Sequence, residues 1–170
     1  MNELIPLSNH DMKDLSNNSI NIIPYPDLMN VKNIVDILDK PLVILYKFSE
    51  NIGHWVLLFL RPDGSIEFFD SFGRIIDDVK KNSTMYEVYG QEDNYLEYLL
   101  YKSGREIEYN PYKFQTQFKY GYPVATCGWH VLMRNKYRNL DIDEYKKFMD
   151  KLKRKYKCED YDELVCNYYN

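Results

Sequence analysis

The pattern of apolar and polar positions along the chain predicts strands and helices in mixed order. Runs rich in β-branched and aromatic residues predict strands at 42–48, 54–60, 66–70 and 105–109. Apolar positions three to four residues apart predict helices at 10–16, 31–39, 92–102, 127–139, 143–156 and 160–168. We therefore expect an α+β fold, with a mixed central β-sheet packed by helices, in a single domain over 1–170.

The turn between the two central strands decides which side chains share a face of the sheet. Residues 61–65, RPDGS, predict an antiparallel hairpin. With a five-residue loop, Asp70 lies opposite Val56 and one diagonal step of about 7–8 Å from His54 on the same face. A four-residue loop over 62–65 turns Asp70 to the opposite face. A His–Asp hydrogen bond therefore requires the odd-length loop or a bulge.

His54, Asp70 and Cys127 together predict an activated cysteine nucleophile. Cys127 follows a predicted N-cap, Thr126, and begins a helix, whose N-terminus favours an anion. A free thiol has a pKa of about 8.5, so a neighbouring imidazole is needed to raise its thiolate fraction at neutral pH. A carboxylate then orients the second nitrogen of that imidazole. Each residue alone is more often a packing or turn residue, so the inference depends on all three.

The segments GHWVLLFL, FFDSFG and TCGWHVLMR, in that order, resemble the adenain-type cysteine proteases. These are capsid-maturation enzymes of adenoviruses and other double-stranded DNA viruses, including virophages, and their clan also contains the SUMO-specific proteases. The match covers roughly residues 42–138. The resemblance implies that His54 is the general base, Asp70 its orienter and Cys127 the nucleophile at the N-terminus of a central helix. It also implies a cysteine endopeptidase that cleaves capsid precursor proteins beside small residues, often glycine.

The resemblance implies a glutamine ahead of the nucleophile as the oxyanion donor, and two glutamines compete for this role. The segment YNPYKFQ at 109–115 matches the viral pattern of Tyr-Asn, a short gap, an apolar residue and Gln, which favours Gln115. Gln117 is the alternative, because family members generally hold this glutamine closer to the cysteine. If Gln115 is the donor, residues 118–126 contain a small insertion.

Three other features have competing interpretations. His130 is a rival base, because it follows Cys127 by three residues and lies about 5–6 Å away between Cβ atoms. It has no carboxylate nearby in the sequence, so we expect it to pack or to cap other groups. Trp55, beside His54, either lines the substrate groove or packs under the sheet. The other two cysteines have no accompanying histidine pattern, so we expect no metal site and no cofactor.

Composition and charge limit the partners. The formal net charge is −4, which gives no long-range attraction for phosphate. DNA activates the adenovirus enzymes, so it is a possible partner, but we do not expect this chain to require it. The basic stretch at 146–157 is a solvated helix face in one interpretation and a nucleic-acid footprint in another. Three cysteines, no secretory segment and no long apolar run predict a protein of a reducing compartment without a membrane span.

We therefore expect a monomer that acts on capsid precursors in the host cytoplasm or virus factory and is packaged in the virion. Two alternatives stay open. One is a deubiquitinase-like or deSUMOylase-like protease that removes ubiquitin-like proteins. The other is a catalytically idle binding protein. A groove sized for a short peptide favours capsid maturation, whereas a broad surface for a folded partner favours deconjugation.

Overall fold

The computed structural model of the protein describes residues 2–48, 52–82, 89–91 and 93–170, and a five-stranded sheet lies at its centre. The strands lie side by side in chain order: β1 (Asn21–Pro24), β2 (Leu42–Lys47), β3 (Gly53–Leu60), β4 (Ile66–Phe69) and β5 (Ile107–Tyr109). The two outer pairs are parallel and the two inner pairs are antiparallel. The predicted α+β fold with a mixed sheet is confirmed.

Helices pack on both faces of this sheet. The α-helices of the described ranges are α1 (Asn9–Leu15), α2 (Tyr95–Ser103), α3 (Cys127–Lys136), α4 (Ile142–Tyr156) and α5 (Tyr161–Tyr169). Short 3-10 helices cover Asn2–Leu4, Tyr25–Asn30, Ile34–Ile37 and Asp78–Asn82. No helix within these ranges has the length and apolar character that a membrane span needs.

Two apolar layers hold the helices on the sheet. Along β3, Trp55, Leu57 and Phe59 pack in the layer that contains buried side chains of α3, α4 and α5. Val56 and Leu58 point to the other layer, where α2 packs. Burying each such side chain contributes about 1.5–3 kcal/mol. The alternation within β3 therefore attaches the helix that begins at the candidate nucleophile to one defined face of the sheet.

The central hairpin has the odd-length loop. Leu60 pairs with Ile66 and Leu57 with Phe69, and the backbone N–H of Arg61 donates to the carbonyl of Ser65 at 2.8 Å. This register confirms the five-residue loop. If this register continues by one residue beyond β4, Asp70 lies on the same face of the hairpin as His54.

The helix predicted at 31–39 is wrong. Only Ile34–Ile37 is helical, as one 3-10 turn, and Val31 is extended. The physical reason lies at Asn33, whose side chain accepts a hydrogen bond from the N–H of Val35 at 3.1 Å. That bond begins a helical turn at Asn33, so the helix does not extend back over the two preceding residues.

Two strand elements were not predicted. β1 has only four residues and pairs in parallel with β2, a non-local contact. The second is a two-stranded hairpin, β6 (Phe118–Lys119) and β7 (Tyr122–Pro123), within the segment expected to hold an insertion. Its turn residues, Tyr120 and Gly121, both have positive φ, 53° and 82°, as in a type I′ turn. The remaining predicted elements are present with shifted ends; α3 stops at Lys136, and residue 92 lies outside the described ranges.

A buried ion pair attaches α3 to the sheet. The Arg134 guanidinium on α3 donates to both carboxylate oxygens of Glu67 on β4, each at 2.8 Å, and both side chains are inaccessible to solvent. The same guanidinium donates to the carbonyls of Tyr137 and Leu140. Because every charged atom of such a pair is desolvated, removing one partner leaves the other charge uncompensated.

Glu67→Gln is accordingly expected to lower the free energy of unfolding by about 3–5 kcal/mol, because Arg134 stays buried without its counter-charge. Urea unfolding followed by circular dichroism measures this change. Asp14→Asn is the control, since it breaks the exposed His10–Asp14 pair and is expected to leave stability unchanged within error. Equal stability of the two variants would contradict the prediction.

Candidate active site

Cys127 is the first residue of α3, as predicted, and its side chain is buried in the layer under the sheet. Thr126 occupies the N-cap position, but its side chain makes no capping hydrogen bond to the helix. Its hydroxyl donates instead to the carboxylate of Asp162 on α5. The predicted position of Thr126 is confirmed and its capping bond is wrong, because a buried carboxylate competes for the hydroxyl.

The predicted contact between His54 and Asp70 is present. Nε2 of His54 lies 3.0 Å from Oδ1 of Asp70, and both side chains are buried. The same carboxylate oxygen accepts the backbone N–H of Phe72 at 2.8 Å, and the Asn110 amide donates to the Asp70 carbonyl at 2.7 Å. Asp70 is therefore held from both its side chain and its backbone, and it fixes which imidazole nitrogen is occupied.

The electrostatics of His54 favour its charged form. Burial lowers the pKa of His54, but the charge and hydrogen bond of Asp70, together with a hydrogen bond and charge from Cys127, raise this pKa to about 10. Since Asp70 occupies Nε2, Nδ1 is the nitrogen left for the thiol. Asp70 and Cys127 thus act on the same imidazole, and both favour its protonated form.

The two candidate glutamines differ in their placement. Gln115 is buried, its Oε1 accepts from the Ser71 hydroxyl at 2.7 Å, and its Nε2 donates to the Val124 carbonyl at 3.0 Å. A carboxamide carries two N–H groups, so one is left after the bond to Val124. Gln117 is exposed at the start of the β6–β7 hairpin. The structure therefore brings Gln115, and not the side chain of Gln117, into the interior with the loop that follows Asp70.

His130 is packed in the interior, as expected, and it has a carboxylate partner that is distant in the sequence. Nε2 of His130 lies 3.0 Å from Oδ1 of Asp162, and both side chains are inaccessible to solvent. Nδ1 of His130 has no hydrogen-bond partner within the described part of the chain. His130 therefore makes no hydrogen bond to the thiol of Cys127, whereas that thiol is among the groups that raise the pKa of His54. Asp162 lies 32 residues further along the chain, too far for local patterns to pair it with His130.

Trp55 packs under the sheet, which is one of its two predicted roles. Its side chain belongs to the buried layer, and its indole N–H donates to the Leu7 carbonyl at 3.2 Å. It also lines a groove of about 420 Å³, together with residues 6–10 and the ends of β2 and β3. Leu7, which also lines this groove, packs against Gly128, where an added Cβ would lie 3.1 Å from the Leu7 side chain. The glycine after the nucleophile thus allows the N-terminal segment to approach α3.

Comparison with known proteins gives one strong match. The chain is 37% identical over 167 residues to "Uncharacterized protein V9" of Sputnik virophage, which covers 96% of this chain and 93% of that protein. The chain belongs to the V9 family. No protein-family model matches it. Membership of the V9 family identifies a viral protein, and its chemistry has to be inferred from the site.

In this member of the V9 family, several residues that support the site were not predicted. Ser71, Asn110 and Asp162 each hold the backbone or side chain of a candidate residue. Ser71 lies in the segment FFDSFG and Asn110 in the motif 109–115, so those two segments were the available signals. No local signal indicated Asp162. No cluster of His, Cys, Asp and Glu in the part of the chain described here is placed to hold a metal ion.

Proposed function

We propose that this member of the V9 family is a cysteine endopeptidase with Cys127 as nucleophile, His54 as acid and base, and Asp70 as the orienter of His54. The observation that carries the proposal is the buried contact of 3.0 Å between Nε2 of His54 and Oδ1 of Asp70, together with the action of the Cys127 thiol on the pKa of the same imidazole. The resemblance to adenain-type proteases, with the same residue types in the same order, supports the same assignment.

The proposed reaction depends on the proton that His54 exchanges with Cys127 and with the leaving amine. The proton of the Cys127 thiol passes to Nδ1 of His54, where the raised pKa of His54 holds it as the imidazolium, and the thiolate attacks the carbonyl carbon of the scissile peptide bond. The Gln115 amide and the backbone N–H of Cys127 donate to the oxyanion. The C–N bond then breaks as the His54 imidazolium protonates the leaving amine, which leaves a thioester. Water, deprotonated by His54, hydrolyses the thioester and returns the thiol.

Asp70 is essential to both halves of this reaction. Its carboxylate accepts a hydrogen bond from the N–H at Nε2, so Nδ1 is the nitrogen that exchanges a proton with the thiol and the amine. Its charge also holds the His54 pKa above the neutral range, which keeps the proton available for the leaving group. The buried setting excludes competing water from this exchange.

The proposed substrates are capsid precursor proteins of the virus, cleaved beside small residues such as glycine. Two observations support this: the V9 relative is a virophage protein, and the groove beside Trp55 has the size of a short peptide segment. The proposal places the protein in the host cytoplasm or virus factory and in the virion. It acts as a monomer and does not depend on DNA.

The test is incubation of the purified protein with the capsid precursors of its virus and, separately, with ubiquitin-like and SUMO-like precursors. New N-termini are identified by mass spectrometry, and Cys127→Ala is the control in each reaction. We expect cleavage of the capsid precursors at small residues. Cleavage of the ubiquitin-like substrates alone would contradict a role in capsid maturation and would favour the removal of ubiquitin-like proteins. Cleavage of neither would contradict the proposal.

Gln115→Ala is expected to lower kcat by about 10²–10³-fold with little change in KM, because the donor acts on charge that develops only in the transition state. Gln117→Ala is the matched control, since Gln117 is exposed two residues away, and it is expected to keep wild-type turnover. Steady-state kinetics of both variants on one peptide measure the difference. A large loss of kcat in Gln117→Ala, with normal kcat in Gln115→Ala, would show that Gln117 is the oxyanion donor.

A further inference from the structure

Asp162 is a buried carboxylate that the proposed reaction does not use. It lies in the first turn of α5 and is inaccessible to solvent. It does not cap its own helix, because Asp160 is the N-cap and accepts the N–H of Glu163 at 2.8 Å. A buried carboxylate with no capping role requires other donors.

Those donors come from two separate segments of the candidate site. Oδ2 of Asp162 accepts from the backbone N–H of Thr116 at 3.0 Å and from its hydroxyl at 2.6 Å. Oδ1 accepts from the Thr126 hydroxyl and from Nε2 of His130 at 3.0 Å. Burial raises the pKa of Asp162, but the bonds and charge of His130 and the hydroxyls of Thr116 and Thr126 outweigh it and lower this pKa. The carboxylate is therefore an ionised acceptor at neutral pH.

The two threonines that bind Asp162 are sequence neighbours of the proposed oxyanion donor and of the proposed nucleophile. Thr116 immediately follows Gln115, and Thr126 immediately precedes Cys127. Between them the chain leaves the core in the β6–β7 hairpin, whose residues Phe118 and Tyr122 are 61% and 63% exposed. An isolated two-stranded hairpin is marginally stable, so the bonds across its base, such as that from the Val124 N–H to the Gln117 carbonyl, fix the distance between its ends only weakly. Asp162 bonds to both ends.

We propose that Asp162 is a positioning residue that sets the spacing between the oxyanion donor Gln115 and the nucleophile Cys127, by binding Thr116 on one side and Thr126 and His130 on the other. This inference rests on the proposed function. A misplacement of about 1 Å in a reacting constellation costs up to about 10²-fold in rate. Loss of Asp162 therefore acts on kcat without changing the groups that bind substrate.

The test is Asp162→Asn in the full chain. Both carboxylate oxygens of Asp162 accept hydrogen bonds, whereas asparagine has one oxygen and one NH₂ group. In Asp162→Asn, the donors on one side of the side chain therefore meet another donor and lose their acceptor. We expect kcat to fall about 10- to 100-fold with KM within about twofold. Asp160→Asn is the matched control: it removes a carboxylate from the same helix end, where Asn caps equally well. The control is expected to keep turnover within about twofold, although it loses the bond between Asp160 and Lys119.

A double-mutant cycle separates positioning from a general loss of structure. In the Gln115→Ala background the oxyanion donor is absent, so its spacing from Cys127 no longer affects the rate. Asp162→Asn is therefore expected to lower kcat by less than about threefold further. A full additional loss in that background would overturn the inference, as would wild-type turnover in Asp162→Asn. If Asp162→Asn does not fold, Thr116→Val replaces it, because it removes only the hydroxyl bond and keeps a β-branched shape. Turnover of Thr116→Val equal to wild type would then overturn the inference. A wild-type protein without peptidase activity would contradict the proposed function itself.

Discussion

Cys127→Ala is expected to abolish peptide hydrolysis, with a loss of about 10⁶-fold or below detection, because the proposed reaction forms its covalent intermediate on this thiol. The change removes one sulfur atom from a buried position, so the fold is expected to be retained. Turnover of a cleaved peptide, with circular dichroism on the same sample, measures both. Loss of activity with an unchanged spectrum is the expected result.

Cys166→Ala is the matched control for this variant. Cys166 is also buried, on α5, in the same apolar layer, and burial raises the pKa of its thiol to about 12. It makes no contact with His54 among those described here. Its alanine variant is expected to keep wild-type turnover. If Cys127→Ala retained turnover, the nucleophile would have to be sought elsewhere.

His54→Ala is expected to lower kcat/KM by about 10⁴-fold or more, because both proton transfers pass through this imidazole. His130→Gln is expected to keep a substantial fraction of activity. Glutamine at position 130 retains an N–H donor for Asp162, and His130 makes no hydrogen bond to the thiol. Of the two histidines, His54 is the one whose pKa is raised by both the thiol and an orienting carboxylate. Kinetics of both variants on one substrate decide between the two histidines.

The opposite ranking, an inactive His130→Gln beside an active His54→Ala, would show that the pair of His130 and Asp162 is the catalytic one. Thermal unfolding of the two variants serves as the control, because both histidines are buried and either change can affect stability. Activity is therefore compared at a temperature where both variants are folded.

The part of the site that depends on local rules was predictable. The RPDGS turn allowed either loop length, and only the five-residue loop brings Asp70 to the His54 face, as found. Thr-Cys-Gly before an apolar periodic segment correctly predicted a helix beginning at Cys127. Both inferences use spacing along a few residues, where backbone geometry leaves few alternatives.

The part that depends on long-range contacts was not predictable from the sequence alone. Asp162 reaches Thr116 across 46 residues, and no periodicity connects them. β1 pairs with a strand some twenty residues later, and its four residues carry little pattern of their own. At 31–39 the apolar spacing fits a helix, yet the Asn33 side chain begins the helical turn there and shortens it. Tertiary contacts and side-chain competition decided these elements.

The most direct test of the account is the order in which iodoacetamide alkylates the three cysteines of the folded protein at neutral pH. Accessibility alone favours Cys158, which is half-buried, over the buried Cys127 and Cys166. Burial and nearby carboxylates raise the pKa of Cys158, whereas Cys127 is paired with a charged imidazole. Peptide mapping by mass spectrometry is therefore predicted to show Cys127 modified first, with that preference lost in His54→Ala. Modification of Cys158 first, at the same rate in both proteins, would contradict the proposed nucleophile.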